Sequence, residues 1–145
     1  MRKLLILSFI IVLVGIDCKK ESQTTGPAPL LKTKWVLTQI QATGKGAISY
    51  FPTDAPAKIS IVFTDSENAL TFKGICNIGG GTYSYSSDSG DIKINGIVTT
   101  KIACLYVEWE SITIQNLDNA YGYAINGDNL TIYSASTYNL SFTRE

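Results

Sequence analysis

The chain has 145 residues, with 12 Lys and Arg against 12 Asp and Glu, a formal net charge of zero, no His and three Cys. Balanced charge argues against nucleic acid as a partner, whose binding shows as a basic face. Without His, a nucleophilic thiol lacks its usual base and a zinc site lacks imidazole ligands.

Arg2 and Lys3 precede an apolar run from Leu4 to Ile16, and Cys18 follows directly. This is the pattern of a charged n-region, a short h-region and a processing point. The run is shorter than the roughly 18 to 20 residues that span a bilayer as a helix. Leu13-Val14-Gly15-Ile16-Asp17-Cys18 resembles a lipobox, although Asp17 departs from the small residue usual before the Cys. The expectation is a signal peptide over residues 1–17, an acylated Cys18 and a lipid anchor without a transmembrane span. The cysteine count agrees, because Cys18 on lipid leaves an even pair, Cys76 and Cys104, for an oxidising compartment. Residues 18–31 (CKKESQTTGPAPLL) read as the lipidated Cys and a flexible tether, polar with Gly26, Pro27 and Pro29. One domain is expected over residues 32–145. Without Arg2, Lys3 and Asp17 the chain carries 10 basic against 11 acidic residues.

Within that domain, Trp35 to Ile40, Ile59 to Phe63 and Leu70 to Phe72 alternate as strands with β-branched and aromatic residues. Thr82 to Ser86, Ile92 to Val98, Tyr121 to Ile125, Leu130 to Tyr133 and Tyr138 to Phe142 continue the series. Ser87 to Asp91 marks a turn, and Asn126-Gly127-Asp128 predicts a tight hairpin because Asn and Gly tolerate positive φ. Many short strands at close spacing indicate a mostly β fold with an antiparallel sheet closed or folded on itself. Tyr106 to Ala120 is ambiguous locally. Ile112-Thr113-Ile114 favours strand, whereas Leu105, Trp109, Ile112 and Ala120 share a helical face only if Asn116 joins them. Thr43 to Ala57 reads as a Gly- and Pro-containing loop.

Two cysteines stand in matching frames, Gly74-Ile75-Cys76-Asn77 and Thr100-Lys101-Ile102-Ala103-Cys104. The first continues through Gly79, Gly80 and Gly81 to Tyr83, and this Cys-Asn-x3-Gly-x-Tyr run resembles the signature of the META domain of HslJ-like bacterial lipoproteins. Trp35, Glu110, Leu117, the run Tyr123 to Leu130 and Phe142 extend the resemblance from about Lys32 to Glu145. It implies a barrel-like α+β domain, with the helix falling in the ambiguous segment. It also implies a cell-envelope protein, on the outer membrane or a periplasmic face, with a role in stress tolerance. The motif residues Gly74, Asn77, Gly81, Tyr83, Thr100 and Ala103 are read as structural.

The chemistry-bearing residues have stronger structural than catalytic readings. With no His and no further Cys, Cys76 and Cys104 are better explained as a disulfide than as a nucleophile or half of a metal site. Asn77 is expected to bond neighbouring backbone at an irregular turn. Gly79-Gly80-Gly81 lacks the Lys and Ser or Thr of a phosphate loop and suits a bend or bulge where strands approach closely. Asp88 and Asp91 beside Gly90 lack the alternating ligands of a calcium loop. Glu108 and Glu110, two apart, do not face each other on a helix. No catalytic residue, metal or cofactor is therefore expected.

Aromatic residues carry the one binding reading. Tyr83 with Tyr85, and Tyr121 with Tyr123, are spaced i, i+2, which places each pair on one strand face where it can stack on a sugar or an apolar ligand or pack across strands. The functional expectation is an anchored, non-enzymatic envelope lipoprotein that meets the bilayer through Cys18 and binds a protein or glycan. The alternative is a secreted inhibitor of a peptidase or lysozyme-like enzyme acting through Thr43 to Ala57. A hydrolase using Glu108, Glu110 or Asp88 is the weakest reading, because no carboxylate pair has a spacing that predicts a shared cleft.

Overall fold

The first strand, β1 (Lys34–Ala42), holds the sheet's two halves together, and its side-chain pattern explains how. Trp35 and Leu37 point into the core. A register shift between Leu37 and Gln39 against the last strand then inserts one extra residue, so that Ile40 rather than Gln39 is buried. Such a bulge bends the strand and sharpens its twist, as curling a sheet requires. The computed structural model describes residues 29–145. Cys18 and the signal-peptide and lipobox readings lie outside the described residues.

After β1 come β2 (Ile48–Tyr50), β3 (Ser60–Phe63), β4 (Ala69–Lys73), β5 (Ile78–Tyr85) and β6 (Ile92–Thr99). The helix α1 (Val107–Asp118) follows, then β7 (Ala120–Asn126), β8 (Asn129–Ser134) and β9 (Tyr138–Arg144). All named pairings are antiparallel. The path runs β6-β5-β4-β3-β1-β9-β8-β7, with β2 pairing β1 off the path. Two meanders thus flank β1, and the sheet curls into a half-barrel whose ends, β6 and β7, approach each other. They touch through a single bridge, Asp91 to Gly122, and a bond from Tyr123 N to Gly90 O of 2.7 Å. The expected mostly β, antiparallel, barrel-like sheet with one helix is what forms.

Inside the curl lie Trp35, Phe63, Phe72 and Phe142 with Ile61, Leu70, Ile94, Leu130, Ile132 and Leu140, all buried. Each fully buried side chain of this size contributes about 1.5–3 kcal/mol. The helix packs against β6, β8 and β9 and adds Leu117 to the core. Among the described residues, no helix is long and apolar enough to cross a membrane.

Two expectations are corrected, whereas the expected tight hairpin between β7 and β8 forms. The tether was expected to reach Leu31, but Leu30 is buried, its carbonyl accepts from Trp35 Nε1 at 3.1 Å, and Leu31 bridges to Phe63. An apolar pair after polar residues is drawn into the core. Thr43 to Ala57 is not all loop, since β2 pairs β1 from Gln39–Tyr50 to Gln41–Ile48. In the hairpin between β7 and β8, Gly127 takes the positive φ of 59°, while Asn126 pairs with Asn129 as strand.

Candidate functional site

The motif residues converge on one buried carboxylate. Gly74 to Asn77 form the sharp connection between β4 and β5, closed by Gly74 N donating to Asn77 O at 2.7 Å. Glu110, in the first turn of α1, points into this turn and is only 2% exposed. Its Oε1 accepts from Cys76 N at 2.7 Å and Asn77 N at 3.2 Å, and its Oε2 accepts from Asn77 Nδ2 at 2.6 Å. Gly74 is glycine for a steric reason: a β-carbon there would overlap the Glu110 carboxylate.

Asn77, also buried, joins this turn to the segment before the helix. Its Oδ1 accepts from Ile102 N at 2.7 Å and Thr100 Oγ1 at 2.9 Å, while Nδ2 donates to Ile102 O at 3.0 Å. Neighbouring backbone was the expected partner; the shorter bonds run instead to groups some 23 to 33 residues away, with only a 3.5 Å contact from Nδ2 to Cys76 Sγ within the turn. The Cys76–Cys104 disulfide, with a Cα separation of 6.5 Å, closes the same junction covalently, and Ala103 beside it is exposed. The two sulfurs and a Glu110 oxygen lie within 4.8 Å of one another. Sulfurs bonded to each other offer no thiolate, so this geometry serves as a brace.

Gly79, Gly80 and Gly81 lie inside β5, with the register shifting between Gly80 and Thr82 against β6. A β-carbon at Gly81 would come within 2.7 Å of Asn95 O, which is the close approach expected of this run. Because Ile78 to Gly81 pair with β4, β5 starts at Ile78 rather than at Thr82.

The carboxylates weighed for acid–base work are dispersed. Glu110 is spent on the turn, Glu108 is exposed, and Asp88 sits in the β5–β6 connection accepting from Ser87 Oγ at 3.3 Å. Sequence reasoning did not find the contacts that tie the 43–57 segment to α1. Phe51 meets Trp109 edge-on with ring centroids 5.4 Å apart, and Tyr106 Oη donates to Asp54 Oδ2 at 2.6 Å. That bond raises the Tyr106 pKa above the usual phenol value, because the neutral phenol is the donor.

The tyrosines divide between two environments. Tyr83 and Tyr85 share the inner face of β5, with centroids 6.0 Å apart. Tyr83 is buried edge-on against Phe63 and donates its hydroxyl to Thr64 O at 2.8 Å, so it is a packing residue; burial raises its pKa. Tyr121 and Tyr123 do not share a face as i, i+2 spacing predicts. A register shift between Ala120 and Gly122 makes Tyr121 the extra residue of a bulge. Tyr123 turns inward, half-buried and 6.2 Å from Tyr85, with its pKa raised by burial and then by Tyr85. Tyr121 turns outward to stack on Tyr133 at 6.3 Å.

A concavity of about 310 Å³ borders the junction at Thr100, Ile102 and Ser111, and two further ones lie beside the tyrosines and the 43–57 segment. One, of about 600 Å³, lies along the β6–β7 seam, with Tyr85 and Tyr121 among Asp91, Lys93, Asp118 and Asn119. The other, of about 730 Å³, lies beneath the 43–57 segment, lined by Val36, Leu37, Phe51 and Pro52 with Lys58 and Arg144 at its rim.

A solution structure of a protein from Burkholderia xenovorans is similar at 20% identity with a TM-score of 0.64, over 87% of this chain and 96% of that one. A crystal structure of a duf4847 family protein from Bacteroides vulgatus ATCC 8482 is similar at 13% identity with a TM-score of 0.58, over 76% and 90%. Both establish the fold alone. No curated protein matches the sequence. The family profile described as META domain matches residues 28–145, the span that contains the Gly74–Asn77 turn, Glu110 and both bonded cysteines, and the chain therefore belongs to the META domain family.

Proposed function

We propose that this chain is an exported envelope lipoprotein, anchored through acylated Cys18, whose META domain is a non-catalytic binding module supporting envelope stress tolerance. The observation that carries the reading is a division of labour. Asn77, Tyr83 and Glu110 are turned inward and consumed in bracing the fold, whereas Tyr85 and Tyr121 stay exposed at the seam cleft. A self-satisfied buried carboxylate suits a scaffold rather than a general acid or base, which must reach a substrate proton. A disulfide suits an oxidising compartment, in line with the leader at Arg2 to Cys18.

The deciding experiment is the intact mass of membrane-extracted protein with and without reductant, followed by capture of envelope components. Loss of residues 1–17, added diacylglycerol and a two-proton mass gain on reduction support the reading. An uncleaved, unacylated chain overturns its anchoring half.

One observation favours the inhibitor reading as second. The hairpin from β1 into β2 projects Ile48 and Tyr50, which are 46% and 72% exposed, from a base fixed by Phe51 on Trp109. Inhibition of a peptidase or lysozyme that is lost on replacing Ile48 and Tyr50 would move the function to that loop.

A further inference from the structure

We propose that the seam cleft between β6 and β7 is a saccharide subsite that takes a neutral oligosaccharide; this rests on the binding-module reading and names its ligand class. The cleft exists because the half-barrel closes at one end only, through the Asp91–Gly122 bridge. Among the described residues no strand pairing continues from the bridge, and a concavity of about 600 Å³ lies beside it. Small-ligand sites commonly measure about 300–1,000 Å³.

The two aromatic residues of the cleft come from strands that do not pair, Tyr85 from β5 and Tyr121 from β7. They are 40% and 60% exposed. The bulge at Tyr121 is what turns its ring outward, and Tyr133 stacks behind it, holding an aromatic face toward solvent. The hydroxyls of Tyr83 and Tyr106 are spent on protein acceptors; these two exposed rings stand apart from such internal duty.

Polar groups surround the rings: Asp118 and the remaining oxygen of Asp91 supply acceptors and Lys93 supplies donors, while Asn119 Nδ2 is already engaged on Gln115 O at 2.8 Å and Asp91 Oδ2 accepts from Ser89 Oγ. Asp118 Oδ1 receives only a long 3.4 Å bond from Ile97 N. A pyranose ring matches this arrangement, because it offers a C–H face to an aromatic ring and a rim of hydroxyls that both donate and accept. A fatty acyl chain would leave the carboxylates and the ammonium unpaired as it desolvated them. Two carboxylates against one ammonium repel an anionic polymer, which selects a neutral sugar. A protein partner needs roughly 800 Å² of contact on each side, and a narrow cleft does not offer it.

The test uses the full-length protein in a zwitterionic detergent, with cellotriose, maltotriose and triacetylchitotriose as probes and laurate and a sulfated trisaccharide as controls. Saturation-transfer NMR should place magnetisation on the ring C–H protons of at least one neutral trisaccharide. Tyr85→Ala and Tyr121→Ala should each weaken that binding about tenfold, the loss of one aromatic contact. Tyr85→Phe should retain it, as should Tyr50→Ala in the other groove.

Transfer that survives in the Tyr85→Ala/Tyr121→Ala double variant overturns the assignment. So does an absence of transfer to every neutral trisaccharide from protein with native near-ultraviolet circular dichroism. Laurate binding that the double variant loses would overturn the saccharide while keeping the binding-module reading. If no probe binds and envelope capture also fails, both fall.

Discussion

Asn77 Nδ2 donates to Glu110 Oε2 at 2.6 Å, joining the β4–β5 turn to the first turn of the helix across 33 residues of chain. Both groups are buried, and each has further partners. Removing one leaves the other's polar atoms unpaired in a dry interior, which costs more than the bond itself contributes. Glu110→Ala and Asn77→Ala should each lower the unfolding free energy by about 2–3 kcal/mol. The double variant should lose much less than the sum, because the second change removes an atom already orphaned. Urea unfolding of all four proteins checks this, and additive losses would show that the two residues act independently.

The disulfide reinforces the same junction by another means. Closing a loop across a sequence separation of 28 residues is worth about 3.5 kcal/mol by chain entropy. Cys76→Ala and Cys104→Ala should lower stability by similar amounts, and the double variant should be no worse than either. Since Glu110 accepts from the backbone of Cys76 rather than from its sulfur, the reduced protein should keep its native circular dichroism. Collapse of that signal on reduction would mean that the hydrogen bonds cannot hold the turn without the covalent link.

Gly74 tests the steric part of the account. A methyl group there lands on the Glu110 carboxylate, so Gly74→Ala should destabilise by about 1–3 kcal/mol, the range for overpacking. Pairing it with Glu110→Ala, which vacates the space, should recover part of that loss. No recovery would place the strain in the backbone instead.

How much of this was legible follows from which forces are local. The strands β3, β4, β6, β8 and β9 announce themselves because one buried face imposes alternation on the residues, as in Leu130, Ile132 and Ser134. The helix did not, because its buried residues Glu110, Thr113, Asn116 and Leu117 are mostly polar. Each polar member has its own partner: Thr113 Oγ1 donates to Trp109 O at 2.7 Å, and Asn116 Oδ1 accepts from Tyr138 N at 2.9 Å. Leu105, counted on the apolar face, is 79% exposed. Only the family resemblance favoured helix there. The bulges at Thr38 and Tyr121 were equally invisible, since one inserted residue reverses the facing of those after it without changing composition. The candidate site was legible in its parts, Cys76, Asn77 and Glu110, but not in its assembly, because no local rule brings residues 33 apart together.

The Tyr106–Asp54 bond gives a pH signature at the surface. The Tyr106 pKa is raised by this bond first and by burial second, above an unfolded value of about 10. A raised folded pKa means that the stability it adds is fully present below the unfolded value and disappears as pH rises through the folded one. Tyr83 and Tyr123 also ionise late, so absorbance titration of tyrosinate should show several late phenols, of which one vanishes in Tyr106→Phe and moves earlier in Asp54→Asn. Identical curves for wild type and Asp54→Asn would mean that the contact does not persist in solution.

Localisation depends on how the chain is anchored. The apolar run from Leu4 to Ile16 is too short to span a bilayer as a helix, so the proposed anchoring rests on lipid at Cys18. More than one acyl chain passes the threshold for stable attachment, at about 0.8 kcal/mol for each buried methylene. Cys18→Ala should be exported and folded, because the substitution lies outside the described domain and leaves its core and disulfide untouched, yet wash from membranes without detergent. Wild type should need detergent for release. Recovery of Cys18→Ala wholly in the detergent phase would show that the uncleaved leader is the anchor and that acylation is not required.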